Sequence, residues 1–244
     1  MNRKHFLKIS SIASMAALAP FPINLDFSTE ISTQELLGKG KPQLYGKDYA
    51  LRKEANEAFK DMQIDASREG INLYIVSGYR SFKTQQHIWN KKYKTYSKKG
   101  LSAQQCIEQI MRYSTIPGTS RHHWGTEIDL IDTAVELPKN VLHPKHYTRN
   151  GVFCPLQKWM AKNAANYGFN LVYTNNPKRT GFHYEPWHYS YKELSINYLQ
   201  KFLEIDLAKY LQNENIKGNS NLTSTFLNRY NQDYLLGIHP RLIP

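Results

Sequence analysis

From residue 48 the chain alternates between two kinds of hydrophobic spacing. Leu51, Ala55, Phe59, Met62 and Ala66 recur at three- and four-residue steps, which predicts a helix starting at Asp48 and closed by Gly70 in the manner of a left-handed cap. Ile71, Leu73 and Ile75 then alternate with polar or amphipathic neighbours, predicting a short strand that runs into Ser77-Gly78-Tyr79-Arg80. Ser81 suits the N-cap of a second helix carrying Trp89, Tyr93 and Tyr96, and Ser102 with Gln105 spells a capping box for a third that closes before Pro117.

Further along, Thr126–Ile131 reads as a strand and Thr133–Asn150 as a polar loop rich in Pro and His. Pro155 opens a helix that Gly168 ends, followed by strand-like Phe169–Tyr173. Phe182–His188 is predicted as another strand, and Ser190 with Glu193 as a capping box for a long helix reaching about Leu211. Strands scattered among helices without regular alternation point to an α+β fold, a small antiparallel sheet packed with helices. Residues 25–47, rich in Gly and polar side chains, read as a linker, and 192–244 as a C-terminal helical extension.

The first 24 residues read differently. Arg3, Lys4 and Lys8 precede the short apolar run Ile9–Ala19, the order of an export signal, and the run is too short to span a bilayer. The stretch Arg3-Lys4-His5-Phe6-Leu7-Lys8 resembles a twin-arginine signal with Lys4 in place of the second arginine. An exported protein of the periplasm or cell envelope, without a stable membrane span, is the expectation.

Composition narrows the partners. The 244 residues carry a formal charge of +12, with 32 basic and 20 acidic side chains, which favours anionic surroundings. The lysines are scattered, as in Lys91, Lys92, Lys94, Lys98 and Lys99, with no nucleic-acid motif beside them, so they read as a solvated face. Cys106 and Cys154 are the only cysteines and form no CxxC spacing, so they read as buried, unpaired thiols rather than metal ligands.

Three clusters carry candidate chemistry. Ser77-Gly78-Tyr79-Arg80-Ser81 sets an arginine, with its permanent charge and planar donor fork, directly after a strand. Within Ser120–Asp129, His122 and Asp129 are suitable zinc-ligand types flanking a Gly-containing turn. Glu185-Pro186-Trp187-His188 puts a carboxylate three residues before an imidazole, the pairing a metal peptidase uses as base and ligand. Taken singly, each cluster also has an ordinary structural explanation.

Together and in this order, Ser-Gly-Tyr-Arg-Ser with Gln85, then Ser-x-His-x-x-Gly-x-x-x-Asp, then Glu-x-Trp-His, the clusters resemble the VanY-type D-alanyl-D-alanine carboxypeptidases over 48–191. That group shares a zinc-binding core with hedgehog-type domains. The resemblance implies zinc held by His122, Asp129 and His188, with Glu185 as general base and Arg80 steadying the polarised carbonyl. It implies Ser120 and Gln85 as residues lining the substrate cleft. His123 and Glu127 fall on variable positions and are not assigned as ligands, and His183 is expected to face a strand neighbour rather than the base. Tyr189-Ser190-Tyr191 departs from the family's Tyr-Arg-Tyr-like run. The implied activity is zinc-dependent hydrolysis of the terminal D-Ala-D-Ala bond of peptidoglycan stem peptides, by attack of a metal-held water. An L,D-carboxypeptidase or wall endopeptidase on the same core, or a non-catalytic wall-binding module, uses the same motifs. Nucleic acid is not an expected partner.

Overall fold

Helix α1 (Thr33–Leu36) opens the part of the chain described in this computed structural model, residues 31–244; the export signal read over 1–24 lies outside it. The predicted first long helix is α2 (Lys53–Arg68), five residues later than its periodicity suggests. Leu51 is spent on a two-residue bridge with Tyr45, their backbones exchanging hydrogen bonds of 2.7 and 2.9 Å, so 46–50 turn instead of coiling. Strand β1 (Leu73–Ser77) follows, then α3 (Phe82–Ser97), capped by the Ser81 hydroxyl, and α4 (Ala103–Ile110), with the capping box of Ser102 and Gln105 formed.

Strand β2 (Glu127–Asp132), helix α5 (Cys154–Asn163), strands β3 (Phe169–Leu171) and β4 (His188–Tyr191), and helices α6 (Lys192–Leu203), α7 (Leu207–Leu211) and α8 (Ser224–Tyr230) complete the described elements. The four strands form one antiparallel sheet in the order β1-β2-β4-β3, giving the expected α+β architecture. Ile128 and Leu130 of β2 and Tyr189 of β4 join Phe59 and Met62 of α2 and Leu156 and Met160 of α5 in one apolar core. A second core gathers Trp89, Ile107, Leu199, Phe202, Leu211, Tyr230 and Leu242.

Three sequence expectations are corrected. Phe182–Trp187 is not a strand: Pro186 lacks the N–H a ladder needs, and 185–188 instead form a turn closed by the His188 N–H on the Glu185 carbonyl at 3.1 Å. Ser190 caps no helix, because it lies within β4; its hydroxyl points inward to Glu127 and Ser195, and the helix beyond it stops at Leu203 before Asp206 caps a separate α7. Residues 31–47 and 192–244 do not lie apart from the rest. Leu36, Leu37 and the C-terminal Leu242 are fully buried in the second core, and 31–244 form a single unit. Neither cysteine is in a disulfide; Cys106 is buried and Cys154 half-buried. Among the described residues no helix is long and apolar enough to cross a membrane.

Candidate active site

Alternation along β2 sends Ile128 and Leu130 into the first core and turns Glu127 and Asp129 to the opposite face of the sheet. Asp129 pairs in register with His188 of β4, and Glu127 with Ser190, so the polar faces of the two central strands meet. His122 comes from a one-turn 3₁₀ helix, Arg121–Trp124, that ends at Gly125 with φ +71° and leads into β2. A side chain at Gly125 would be strained by that φ and would also press on Leu44, which accounts for the glycine of the motif.

The ligand-type atoms of His122, Asp129 and His188 all lie within 4.8 Å of one another, and all three residues are buried. His122 Nδ1 lies 2.7 Å from the Gly78 carbonyl, so that nitrogen donates and Nε2 is left facing Asp129 Oδ2 at 3.5 Å. Gly78 must approach this closely: a Cβ there would fall 2.8 Å from the Ala50 carbonyl oxygen. His188 Nδ1 faces the other Asp129 oxygen at 3.9 Å and Glu185 Oε2 at 3.0 Å. Asp129 Oδ1 is buried and has no hydrogen-bond partner, the condition of an oxygen shaped to meet a cation. Two imidazoles and one carboxylate are the donor set of a catalytic zinc, so the residues fit that metal.

The electrostatics agree with a cation site. Burial alone would raise the Asp129 carboxyl, yet the neighbouring imidazoles and Arg80 hold it below its ordinary value. Burial pushes the His122 imidazole down, only partly opposed by Asp129. For His188 the balance reverses: burial lowers it, but hydrogen bonds to Glu127 and Glu185 and the charge of Asp129 lift it to about 10.

Arg80 follows the bulge that shifts the β1–β2 register between Ile75 and Ser77, a device that re-aims side chains beside active sites. Its guanidinium donates to Ser77 Oγ (2.8 Å) and Gln85 Oε1 (2.9 Å) and stands 3.9 Å from Asp129. Gln85 is where the structure departs from expectation. It is fully buried and does not line the cleft of Arg80 and the ligand residues; its amide donates to the Thr115 carbonyl while its oxygen holds Arg80 in place. Arg80, Ser120, His122, Asp129, Glu185 and His188 all line one cleft of about 680 Å³.

His123 is fully buried with both ring nitrogens engaged, by the Arg80 carbonyl and the Gly118 N–H, and burial holds it neutral at about 3. It ties loops together and is not one of the residues lining the cleft. His183 lies exposed and outside the strands, against the Tyr113 ring at 5.0 Å between centroids.

Three residues to which the sequence assigns no site role are brought to the site by the structure. Glu127 is fully buried beside His188, Arg121 is buried beside Glu127, and Lys92 lines the cleft with its ammonium 2.6 Å from Ser114 Oγ. Lys92 therefore does not belong to the solvated basic face of its lysine neighbours. The period-2 alternation that turns Asp129 inward also turns Glu127 inward, which was the available signal for that residue.

A family model described as VanY, D-alanyl-D-alanine carboxypeptidase, matches residues 48–194, more than half of the chain. A D-alanyl-D-alanine carboxypeptidase of Enterococcus faecalis is 31% identical over 129 residues, covering 52% of this chain and 43% of that protein, so the likeness spans under half of the relative's length. Two solved structures share the fold. VanYB in complex with D-alanine-D-alanine has a TM-score of 0.51 at 23% identity, over 72% of this chain and 91% of that one. A VanY mutant from a VanB-type resistance cassette, in complex with Zn(II), has a TM-score of 0.50 at 22% identity, over 75% and 90%. On the extent of the family match, the chain belongs to the VanY family of D-alanyl-D-alanine carboxypeptidases.

Proposed function

We propose that the protein is a zinc-dependent carboxypeptidase that removes the terminal D-alanine from peptidoglycan stem peptides, and that it works outside the cytoplasm. The observation that carries this reading is the convergence of His122, Asp129 and His188 on the cleft that Glu185 and Arg80 also line. The family membership supports it, as does the binding of Zn(II) and of D-alanine-D-alanine by two proteins of the same fold. The basic-then-apolar order of the first 19 residues motivates the location.

His122, Asp129 and His188 would hold the zinc. When bound, the metal would supply Lewis acidity, lowering the pKa of a water from ~15.7 towards ~7. Glu185 carries a carboxylate beside the metal residues without being one of them, the position of a general base. It takes the proton as the water oxygen attacks the scissile carbonyl and returns it to the leaving amine. Arg80, held by Ser77 and Gln85, presents its fork to the oxygen that gains charge. The fixed turn through Pro186 keeps the base and the imidazole on one side of the cleft.

Exopeptidase action is favoured over cutting within a chain by Lys92. Burial pushes its ammonium down from the ordinary lysine value, only partly offset by Glu185. A peptide ending in the cleft would bring a carboxylate, the group that best satisfies a half-buried ammonium. The test is to incubate zinc-loaded protein with a stem pentapeptide ending in D-Ala-D-Ala and identify the products by mass. Release of one D-alanine is expected. Cleavage only of the tetrapeptide, or equal cleavage of a peptide with an amidated terminus, would replace the reading with an L,D-carboxypeptidase or an endopeptidase.

A further inference from the structure

A fully buried carboxylate stands beside the metal residues and is not one of them. Glu127 Oε1 accepts hydrogen bonds from the hydroxyls of Ser190 (2.6 Å) and Thr126 (2.9 Å), while Oε2 faces His188 Nε2 at 3.0 Å and Arg121 Nε at 3.3 Å. Arg121 is itself buried, stacked over the Trp124 ring at 4.8 Å, and its Nη2 donates to Ser190 Oγ at 2.7 Å. Arg121, Glu127 and Ser190 thus form a buried polar cluster that meets His188 through the Glu127 carboxylate.

The imidazole of His188 has two ways to be wrong. Its Nδ1 lies 3.0 Å from Glu185, so a proton kept on that nitrogen would occupy the lone pair needed for metal and engage the base as well. A ring turned over would point Nε2 into the site and Nδ1 away from it. A carboxylate fixed on the far side settles both choices, because it accepts a hydrogen and offers none. His122 is oriented by the same logic through the Gly78 carbonyl, a neutral acceptor, whereas His188 alone is given a charged one.

We propose that Glu127 is a positioning residue for the metal site. It takes the Nε2 hydrogen of His188 and fixes the tautomer and rotation that turn Nδ1 towards Asp129. Arg121 and Ser190 act through Glu127 by holding its carboxylate in place. Hydrogen bonds of this kind, from a ligating histidine to a carboxylate behind it, tune both ligand geometry and metal affinity. The inference rests on the proposed zinc site and adds the element that selects which nitrogen of His188 serves it.

The test uses the full chain and zinc alone as probe, with chelator competition for the dissociation constant. Glu127→Gln keeps an acceptor but loses the charge, and is expected to bind zinc about 10- to 100-fold more weakly than the parent. Because that change leaves Arg121 buried opposite a neutral group, the paired variant Arg121→Gln, Glu127→Gln removes both charges together and is expected to show the same loss. Phe59→Leu, in the core on the other face of the sheet, serves as a destabilised variant that should bind zinc as the parent does. Nitrogen-15 spectra of histidine-labelled, zinc-loaded parent are expected to show His188 protonated at Nε2 and metallated at Nδ1. Equal zinc affinity in a folded Arg121→Gln, Glu127→Gln variant, or His188 metallated through Nε2, would overturn the inference while leaving the zinc site standing. A parent that takes up no zinc would instead overturn the proposed function.

Discussion

The two faces of strand β2 follow opposite physical rules. On one, Ile128 and Leu130 are fully buried against α2 and α5, and removing their surface from water is itself favourable, roughly 25 cal/mol per Å². On the other, Glu127 and Asp129 are buried just as deeply, where burial disfavours each charge unless partners offset it. Glu127 has its partners within the chain, in Arg121, Ser190, Thr126 and His188. Asp129 has His122, His188 and Arg80 beside it, but its Oδ1 has no hydrogen-bond partner. The lesson is that the apolar face holds the sheet together, while the polar face gathers two imidazoles and a carboxylate that could hold a metal.

That contrast breaks most clearly if the metal residues prove dispensable. The double change His122→Ala, His188→Ala is expected to abolish zinc uptake and peptidase activity together, by elemental analysis and peptide assay. Full zinc retention would show that the ligand set is misassigned. On the apolar face, Phe59→Ala is expected to cost about 3–5 kcal/mol of stability in denaturant unfolding, with zinc content per folded chain unchanged. A loss of zinc as large as the loss of stability would mean that the two faces are not separable.

A finer division lies within the polar face. Gln85 does not itself line the cleft but holds Arg80, which does, so Gln85→Ala is expected to lower kcat, by up to ~10²-fold if Arg80 moves by about 1 Å, with zinc content unchanged. An unchanged kcat would return Gln85 to a purely structural role. The smallest effect belongs to a site remote from both faces. Ser102→Ala removes the cap of α4 and is expected to cost ~1 kcal/mol with no change in kinetics.

Much of this arrangement was legible in the sequence where a local rule operates. The 3.6-residue spacing of Ala55, Phe59, Met62 and Ala66 marks α2, and Ser81 and Ser102 cap the helices they precede. His122, Asp129 and His188, singled out from two of the three motifs, lie within ligand distance of one another. What escaped depends on partners distant in sequence. Ser190 and Glu193 have the letters of a capping box, but pairing with Glu127 draws Ser190 into the sheet. Glu127 and Arg121 are six residues apart and buried together by a turn whose geometry no periodicity reveals. Leu36 and Leu37 sit in a stretch too short to show a period, so their burial in the second core had no sequence signal.

The central claim is that the polar face performs hydrolysis with Glu185 as base and three other residues as metal ligands. The most direct measurement is steady-state kinetics of Glu185→Ala and parent on one D-Ala-ended peptide, with zinc content determined for each. The variant is expected to keep its zinc and its fold while losing ~10²-fold or more in kcat, the scale of general acid–base catalysis. Hydrolysis by zinc-loaded Glu185→Ala at the parent rate would contradict the account.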